Sequence, residues 1–455
     1  MRLYDSYTKE LREFQPQKPP YVYLYVCGLT PYDYAHIGHA RTYVAFDVLK
    51  RYLLYKGYNV IHIQNITDID DKLIKRAKEL GEDPVELAHR FHKIAEQNFR
   101  DLNILPPDKY TKVSDHIPEI EKLIEGLMEK GHAYKTPTGI YFHVPSFERY
   151  GKLSGQSLEE LSKHRIEPDP TKKHPADFAL WKYTDDYTWE SKLGKGRPGW
   201  HIECSAMALK HAPVLDIHGG ARDLIFPHHE NEIAQSECYT GRKFANFWMH
   251  TGFLTVDGVK MSKSLGNFIT IKEALEKYHP MALRLLFISA KYSSPIDYSE
   301  DKVKQAHESY LKLKRAYQHL LKLPTEYRKD KENDAYYRER RQAFFDALEE
   351  DLDTPRALAE LYQLASWILS KEKLDFHTHA LLKQFFHEVS FILGLEIMPD
   401  YERTLDKVVK ELLDLREEFR KKKEYVISDL IRERLQKAGI EVLDSKEGSD
   451  YKVME

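Results

Sequence analysis

Two histidines near the start of the chain have the type and spacing of a ligand-binding pair. His36 and His39 are three residues apart, so on a helix they would share a face. Gly38 lies between them, and its missing side chain would let a flat base or a phosphate approach the backbone. The alternative is a pair of ordinary surface histidines, because so short a pattern often occurs by chance. The rest of the chain has to decide between these interpretations.

A second set of residues has the chemistry of metal ligands. His228 and Glu232 are four residues apart and would project from one face of a helix that follows Pro227. Cys204 and Cys27 add two thiols, and two thiolates with one imidazole and one carboxylate suit tetrahedral zinc. These residues are far apart in the sequence and no C-x-x-C pattern occurs, so buried packing of the cysteines beside an exposed His-Glu pair is an equal alternative.

An α/β sheet is the element that would bring these residues together. The run 21–26 is apolar and β-prone throughout, as in a parallel strand buried on both faces, and a helical pattern extends from about Ile37 to Tyr55. A second strand at 60–63 completes a right-handed βαβ unit. Ligands of such sheets bind beyond the carboxyl ends of the strands, where helix N-termini offer N–H groups to phosphates. We therefore expect the first histidine pair at that edge.

The remainder of the chain predicts an insertion, a return to the sheet and a helical region. Loops rich in Lys, Pro and Gly at 106–196 indicate the insertion, in which we expect Trp181 to pack as an anchor. Strands are predicted at 214–218 and 247–250, and a hairpin turning on Asp257-Gly258 precedes the segment KMSKS. Long amphipathic helices are predicted at 301–323, 334–351, 355–369, 379–393 and 404–438.

The composition is that of a folded protein with mixed charges. The chain has 455 residues, of which 31% are charged, and a formal net charge of −3, so an acidic partner must be met by local basic patches. There is no run of 18 apolar residues, and the first 18 residues are too polar for a signal peptide, so we expect a cytoplasmic protein without a membrane segment. The three cysteines argue against a disulfide framework.

HIGH and KMSKS, in this order on an α/β pattern, resemble the signature pair of the class I aminoacyl-tRNA synthetases. Longer stretches are similar to the cysteine-specific members of that family. The matching stretches are YVCGLTPYDYAHIGHAR, NITDIDDK, GRPGWHIECSAM, DIHGGARDLIFPHHENEIAQSE and KMSKSLGN.

This resemblance implies a fold and an activity. The fold would be a Rossmann-type parallel-sheet catalytic domain with an insertion, followed by an α-helical C-terminal domain that binds the anticodon. The activity would be ATP-dependent activation of L-cysteine to cysteinyl-adenylate and transfer to the 3′ end of tRNA(Cys), with Mg²⁺ accompanying ATP and one zinc per chain selecting the thiolate. We expect a monomer. The implied regions are 1–105 and 197–267 for catalysis, 106–196 for the insertion, 268–310 for a linker that contacts the tRNA stem, 311–400 for a helical bundle and 401–455 for anticodon binding.

The resemblance also assigns roles to individual residues. The implied catalytic residues are His36, His39, Lys260 and Lys263, and those that bind ATP are His36, Gly38, His39 and Lys263. The implied substrate-binding residues are Gly28, Thr67, Trp200, His201 and Asp223, and the implied zinc ligands are Cys27, Cys204, His228 and Glu232.

Two departures and two rival functions remain at this point. Ala221 replaces a glycine that is usual after DIHGG, and Tyr451 stands where a tryptophan is common, which keeps an aromatic ring for stacking on a base. One rival is a cysteine ligase of the mycothiol type, which lacks the anticodon end. The segment 416–451, with its basic run 420–423, argues against it. The other rival is a zinc-stabilised RNA-binding protein without activity, against which the intact HIGH and KMSKS motifs count.

Overall fold

The computed structural model describes residues 1–163, 169–262, 264–399, 401–445 and 448–454. The chain divides into two compact units, Met1–Ile397 and Met398–Glu455. Within the described residues, no helix is both long and apolar enough to span a membrane.

The helices and strands are numbered along the chain. The strands are β1 (Arg2–Asp5), β2 (Glu10–Glu13), β3 (Tyr21–Val26), β4 (Asn59–Ile66), β5 (Lys109–Lys112), β6 (Ala133–Lys135), β7 (Gly139–Phe142), β8 (Phe178–Lys182), β9 (Arg197–Pro198), β10 (Leu215–Ala221), β11 (Ala245–Thr251), β12 (Leu254–Val256), β13 (Val259–Lys260), β14 (Ile296–Tyr298), β15 (Thr325–Glu326), β16 (Leu374–Asp375), β17 (Ile440–Ser445) and β18 (Gly448–Val453). The helices are α1 (Ile37–Tyr55), α2 (Asp71–Leu80), α3 (Pro84–Asp101), α4 (Ile117–Glu129), α5 (Leu158–Lys163), α6 (Trp200–His211), α7 (Glu230–Thr240), α8 (Ile271–Lys277), α9 (Pro280–Ile288), α10 (Glu300–Lys322), α11 (Lys331–Glu349), α12 (Thr354–Leu369), α13 (Phe376–Leu393), α14 (Tyr401–Lys421) and α15 (Tyr425–Lys437).

A five-stranded parallel sheet in the order β11-β10-β3-β4-β5 forms the centre of the first unit. The predicted parallel α/β fold is therefore confirmed, and β3 is the middle strand. Helix α1 covers one face so closely that Gly219 of β10 leaves just enough room for the ring of Phe46. Ile202 of α6 and Ile233 of α7 belong to the core on the other face. Since all five strands run the same way, their carboxyl ends meet at one edge.

The range predicted as an insertion contributes to two sheets. Its residues Lys109–Lys112 form edge strand β5 of the central sheet, so that sheet extends beyond residue 105. Strands β6, β7, β8 and β9 form a separate antiparallel sheet. Trp181 of β8 is fully buried and donates from Nε1 to the carbonyl of Gly194 at 3.0 Å, as expected of a packing anchor.

A small hairpin leads from the central sheet to the KMSKS segment. Strands β12 and β13 pair antiparallel, and β14 pairs with β12 in parallel. Asp257 and Gly258 form the predicted turn, both with positive φ (48° and 77°). The hairpin ends at Lys260, so its placement decides where the KMSKS lysines lie.

The second unit corrects one prediction. The helix expected at 404–438 is two helices, α14 and α15, separated at Lys423, whose φ is +62°. Strands β17 and β18 pack on them as a hairpin. Arg416 is 2% exposed and binds Asp444 in a bidentate ion pair, with distances of 2.7 and 2.9 Å. Tyr451 packs against this core and donates from its hydroxyl to Asp406 Oδ1 at 3.0 Å.

Candidate active site and metal centre

The two histidines of HIGH form the N-terminal cap of α1. Helix α1 begins at Ile37, so His36 is its N-cap, and His36 Nδ1 accepts hydrogen bonds from the backbone N–H of Gly38 at 3.1 Å and of His39 at 3.4 Å. In return, His36 N donates to His39 Nδ1 at 3.2 Å. The rings stack with their centroids 3.6 Å apart. This is a capping box built from two imidazoles instead of a hydroxyl and a carboxylate.

This cap determines which ring nitrogen can meet a ligand. Both Nδ1 atoms are acceptors, so each neutral ring carries its proton on Nε2, from which it can be donated to a ligand oxygen. Burial, together with the neighbouring His36, lowers the pKa of His39 well below its usual value and keeps that ring neutral at pH 7. A Cβ on Gly38 would lie 2.9 Å from the His36 ring, so the glycine permits the cap itself.

A second polar group lies where β3 and β4 end. A Cβ on Gly28 would come within 1.7 Å of the Asn65 carbonyl oxygen, which no side chain could tolerate. Gly28 N donates to Asn65 Oδ1 at 2.8 Å, and Asn65 Nδ2 donates to Thr67 Oγ1 at 3.1 Å. Asn65 therefore holds both predicted substrate-binding positions and was missed by the sequence analysis, although it opens the motif NITD.

The KMSKS segment continues from the exposed end of β13. Asn267 stabilises the start of this segment, because its Nδ2 donates to the Lys260 carbonyl at 3.1 Å and its Oδ1 accepts from Ser262 N at 2.8 Å. A backbone bridge between His36 and Thr270 joins the segment that follows to the start of α1. Lys263, predicted as catalytic and ATP-binding, lies outside the described residues.

The predicted metal ligands converge in the interior. One ligand atom from each of Cys27, Cys204, His228 and Glu232 lies within 4.8 Å of the others, and all four residues are buried. Cys27 Sγ is 3.7 Å from Glu232 Oε1, and His228 Nε2 is 2.9 Å from the same oxygen. Cys27 directly follows β3, and it meets residues of α6, of α7 and of the turn before α7 because those helices pack on one face of the sheet.

The electrostatics of this cluster place opposite charges together in the interior, since burial lowers the pKa of His228 but Glu232 and Cys204 outweigh burial and raise that pKa to about 10. Burial opposes ionisation of Glu232, yet His218 and His228 outweigh it and lower the pKa of Glu232 to about 2. A hydrogen bond from Cys27 lowers the pKa of Cys204 to about 6, whereas burial raises that of Cys27. A carboxylate and a thiolate are thus buried together, and this donor set of two sulfurs, one nitrogen and one oxygen fits zinc.

A second set of ligands overlaps the first. Cys27, His218, His229 and Glu232 also place their ligand atoms within 4.8 Å of one another. His218 Nε2 is 2.7 Å from Glu232 Oε2, on the other side of the carboxylate from His228. The sequence analysis overlooked His218 and His229, although DIHGG and FPHHENE contain them. Zinc prefers thiolates, and the first set alone supplies two sulfurs.

One cleft connects the two groups of residues. It has a volume of about 540 Å³, and both Cys27 and His228 reach its wall. Trp200 lines it as well and stacks on His228 with a centroid distance of 4.6 Å. His201 does not line it, because its ring lies behind His228, with 3.0 Å between the two Nδ1 atoms. The other predicted residues that line the cleft are Gly28, His36, Gly38, His39, Thr67, Asp223 and Lys260.

Comparison with known proteins decides the family. Residues 13–308 match the family model described as tRNA synthetases class I (C) catalytic domain. The cysteine–tRNA ligase of Thermococcus kodakarensis is 45% identical over 472 residues, which cover 99% of this chain and 99% of that protein. That of Heliobacterium modesticaldum is 42% identical over 480 residues, again 99% of each. The chain belongs to the cysteine–tRNA ligase family.

A solved structure shares the fold. The methionyl-tRNA synthetase of Mycobacterium tuberculosis in complex with methionyl-adenylate superimposes with a TM-score of 0.63 at 16% identity, over 84% of this chain and 92% of that one. At that identity the likeness concerns the fold alone. The shared fold agrees with the parallel sheet of this chain and with the helical region that follows the sheet.

Ala221, which stands where a glycine is usual in the cysteine–tRNA ligase family, lies at the end of β10 beside the cleft. Ala221 ends β10 with a φ of −75°, a conformation that any residue adopts. It lies at the cleft next to Arg222 and Asp223. The methyl group of Ala221, in place of the hydrogen of glycine, therefore makes the cleft slightly narrower at this point without straining the backbone.

Proposed function

We propose that the protein activates L-cysteine with ATP and transfers it to the 3′ end of tRNA(Cys), as the names of its relatives indicate. The observation that carries this is the cleft with two chemically different ends. The HIGH histidines and Lys260 line one part of it, and the buried thiol-rich cluster reaches it through Cys27 and His228.

The HIGH end would hold ATP, supplied with Mg²⁺. The Nε2–H groups of His36 and His39 donate to phosphate oxygens, and Gly38 keeps the approach open. Lys260, with Lys263 as its predicted partner, neutralises charge on the phosphates. The carboxylate of cysteine attacks the α-phosphorus, the bond to the bridging oxygen breaks, and pyrophosphate leaves with the electron pair. Phosphoryl transfer depends mainly on such positioning and charge neutralisation, which these donors provide before the reaction begins.

The amino-acid end would recognise the side chain of cysteine. Cys27, Cys204, His228 and Glu232 would hold zinc, which when bound supplies a Lewis acid selective for a thiolate. His218 orients Glu232 from behind, and His201 does the same for His228. Trp200 and Thr67 line the pocket, and Asp223 offers a carboxylate to the polar groups of the substrate. A pocket that recognises shape alone discriminates between near-isosteric substrates by only about 10²-fold. Recognition of the thiolate of cysteine would explain how serine is excluded.

Transfer would then use the rest of the chain. The 3′-terminal hydroxyl of tRNA attacks the carbonyl of the adenylate, and AMP leaves. The proposed anticodon contacts belong to the second unit, where the last residue of α14, Lys421, and the two residues that follow it, Lys422 and Lys423, are exposed. Lysines of this kind bind phosphates without reading sequence. We keep a monomeric state and a cytoplasmic location as predictions, and light scattering on the purified protein tests the first.

Cysteine-dependent exchange of pyrophosphate into ATP tests the activation step, with serine as the matched control substrate. We expect exchange with cysteine, and exchange with serine that is lower by clearly more than about 10²-fold, because shape alone accounts for only about 10²-fold and serine offers no thiolate. Charging of purified tRNA with cysteine tests the second step. A preference for cysteine of about 10²-fold or less would contradict the proposed selection through a thiolate, and exchange without charging would reduce the protein to an adenylate-forming enzyme.

A further inference from the structure

Arg41 occupies an unusual position two residues after His39. It lies on α1 and is 2% exposed. Its Nη1 donates to the carbonyl oxygens of Gly252 and Phe253, each at 2.7 Å. Its Nη2 donates to three carbonyl oxygens of a second segment, those of Lys291 at 3.4 Å, Tyr292 at 3.3 Å and Ser294.

The charge of Arg41 is balanced in a different way from that of the other deeply buried arginines. Arg284 binds the carboxylate of Asp47, and Arg416 binds that of Asp444. The acceptors of Arg41 within the described residues are backbone carbonyls. Burial lowers the pKa of the Arg41 guanidinium to about 10, so it remains charged at pH 7. A buried cation is costly unless it is hydrogen-bonded, and here the two Nη groups meet the array of carbonyls while Nε has no partner among the described residues.

Both segments that Arg41 binds lead to the KMSKS hairpin. Residues 252–253 directly precede β12, which turns into β13 and Lys260. Residues 291–294 precede β14, the strand that pairs with β12. The two segments also bind each other, since Gly252 N donates to the Tyr292 carbonyl at 2.8 Å and Ile296 N to that of Phe253 at 2.9 Å. Arg41 therefore joins the helix that begins with HIGH to the base of the hairpin that ends with KMSKS.

We propose that Arg41 is a positioning residue for the activation step, which sets the distance between the HIGH histidines and Lys260 by clamping the base of the hairpin against α1. This inference rests on the proposed function. The clamp needs the guanidinium group, because Nη1 donates to the segment 252–253 and Nη2 donates to the segment 291–294. A lysine would keep the charge and most of the length, but its single ammonium group cannot donate to both segments in the same planar geometry.

The test compares Arg41→Lys with Arg284→Lys in the full-length protein. For Arg41→Lys we expect turnover in pyrophosphate exchange to fall about 10-fold to 10²-fold, with a raised KM for ATP, because small misplacements of catalytic groups cost that much. The KM for cysteine and the zinc content should stay within twofold of wild type, since neither segment contributes to the metal cluster. Arg284 is equally buried and binds carbonyls of Leu102, Asn103 and Leu393, but among the described residues none of its hydrogen bonds reaches the two segments at the base of the hairpin. Arg284→Lys should lower thermal stability without this kinetic pattern.

A second readout does not depend on activity. Cleavage by trypsin after the exposed Lys260 should be several-fold faster in Arg41→Lys than in Arg284→Lys at equal distance below their melting temperatures, because the hairpin has lost its anchor. Wild type without exchange activity would refute the proposed function, whereas equal cleavage rates in the two variants would refute the clamp.

Gly252→Ala provides an independent variant, in which Arg41 stays intact. An added Cβ would lie 2.3 Å from the Ser294 carbonyl oxygen and force apart the two segments that Arg41 holds. We expect the same pattern of lower turnover and raised ATP KM with an unchanged cysteine KM. Wild-type kinetics in either Arg41→Lys or Gly252→Ala, or the same kinetic pattern in Arg284→Lys, would overturn the proposal.

Discussion

Among single residues, Glu232 shows how the metal cluster holds a charge in the interior. Each of its oxygens faces a different histidine, His228 at 2.9 Å and His218 at 2.7 Å, and the side chain is fully buried. A carboxylate is tolerated there because both histidine rings lie within hydrogen-bonding distance of it. Its charge, together with that of the Cys204 thiolate, is what a divalent ion would neutralise.

The first prediction concerns zinc content. Cys204→Ala should bind less than one zinc per chain, because a thiolate ligand is lost. Cys238→Ala is the matched control and should keep one zinc, since Cys238 lies outside both ligand sets and burial raises its pKa to about 12, which keeps it a thiol. Elemental analysis of protein purified without chelators measures both. If Cys204→Ala keeps its zinc while His218→Gln loses it, the second ligand set is the correct one.

The second prediction concerns Lys260. Lys260→Ala should lower the turnover of pyrophosphate exchange about 10²-fold to 10³-fold with little change in the KM for cysteine, because a donor aimed at developing charge acts in the transition state. Lys304, which pairs with Glu300 on α10, is a control of equal charge away from the cleft. Lys304→Ala should behave as wild type. A raised cysteine KM with full turnover in Lys260→Ala would contradict this role.

Among the elements, α1 is the one whose N-terminal cap also lies at the cleft. His36 caps the start of the helix through Nδ1 and also lines the cleft, so one side chain is available for both purposes. The cap also aligns His39, whose ring stacks on it. Helix stability and the proposed catalytic role of His36 would therefore depend on the same side chain, and suitable substitutions can separate them.

The third prediction uses two substitutions of His36. Asparagine is among the best N-cap residues, so His36→Asn should retain thermal stability but lose at least about 10²-fold in exchange turnover, because it has no Nε2–H donor. His36→Ala should lose the same activity and in addition about 0.5–2 kcal/mol of unfolding free energy. Denaturant unfolding and pyrophosphate exchange on both variants measure the two effects. Full activity in His36→Asn would show that His36 acts only as a cap.

At the scale of the whole molecule, the chain divides into two compact units, to which we assign different tasks. The sheet, the cleft and the metal cluster all lie within Met1–Ile397. The second unit has its own core of Val409, Leu413, Leu435, Ile440 and Val442. Activation and recognition of tRNA should therefore be separable.

The fourth prediction concerns the exposed lysines at the end of α14 and is tested first on the full-length chain. Replacing Lys421, Lys422 and Lys423 together by alanine should leave cysteine-dependent exchange within twofold of wild type but lower kcat/KM for tRNA charging at least tenfold, because phosphate contacts are lost. A triple alanine variant of Lys302, Lys304 and Lys312 on α10 is the control for loss of charge. A chain ending at Ile397 should behave like a more severe form of the lysine variant. Equal losses of exchange and charging would remove the RNA-binding role from this segment.

The sequence alone predicted the central architecture and the types of residue that gather at the candidate site. Strand β3, the βαβ unit, the later strands and the turn at Asp257-Gly258 follow from local patterns of apolar and turn residues, and the structure has them. The ligand types of the metal set and the HIGH and KMSKS motifs could be read for the same reason, because residue identity and short spacing define them. The break at Lys423 escaped detection, since the basic run there contains no apolar residue or glycine to mark a helix end.

Only the tertiary structure decided which side chains meet. His201 lies behind His228 and not in the cleft, Asn65 joins Gly28 to Thr67, and the carbonyls that Arg41 binds lie more than two hundred residues away along the chain. These contacts depend on the register of parallel strands and on how helices pack across them. No local pattern records that register, because it is set by the simultaneous burial of residues from distant parts of the sequence.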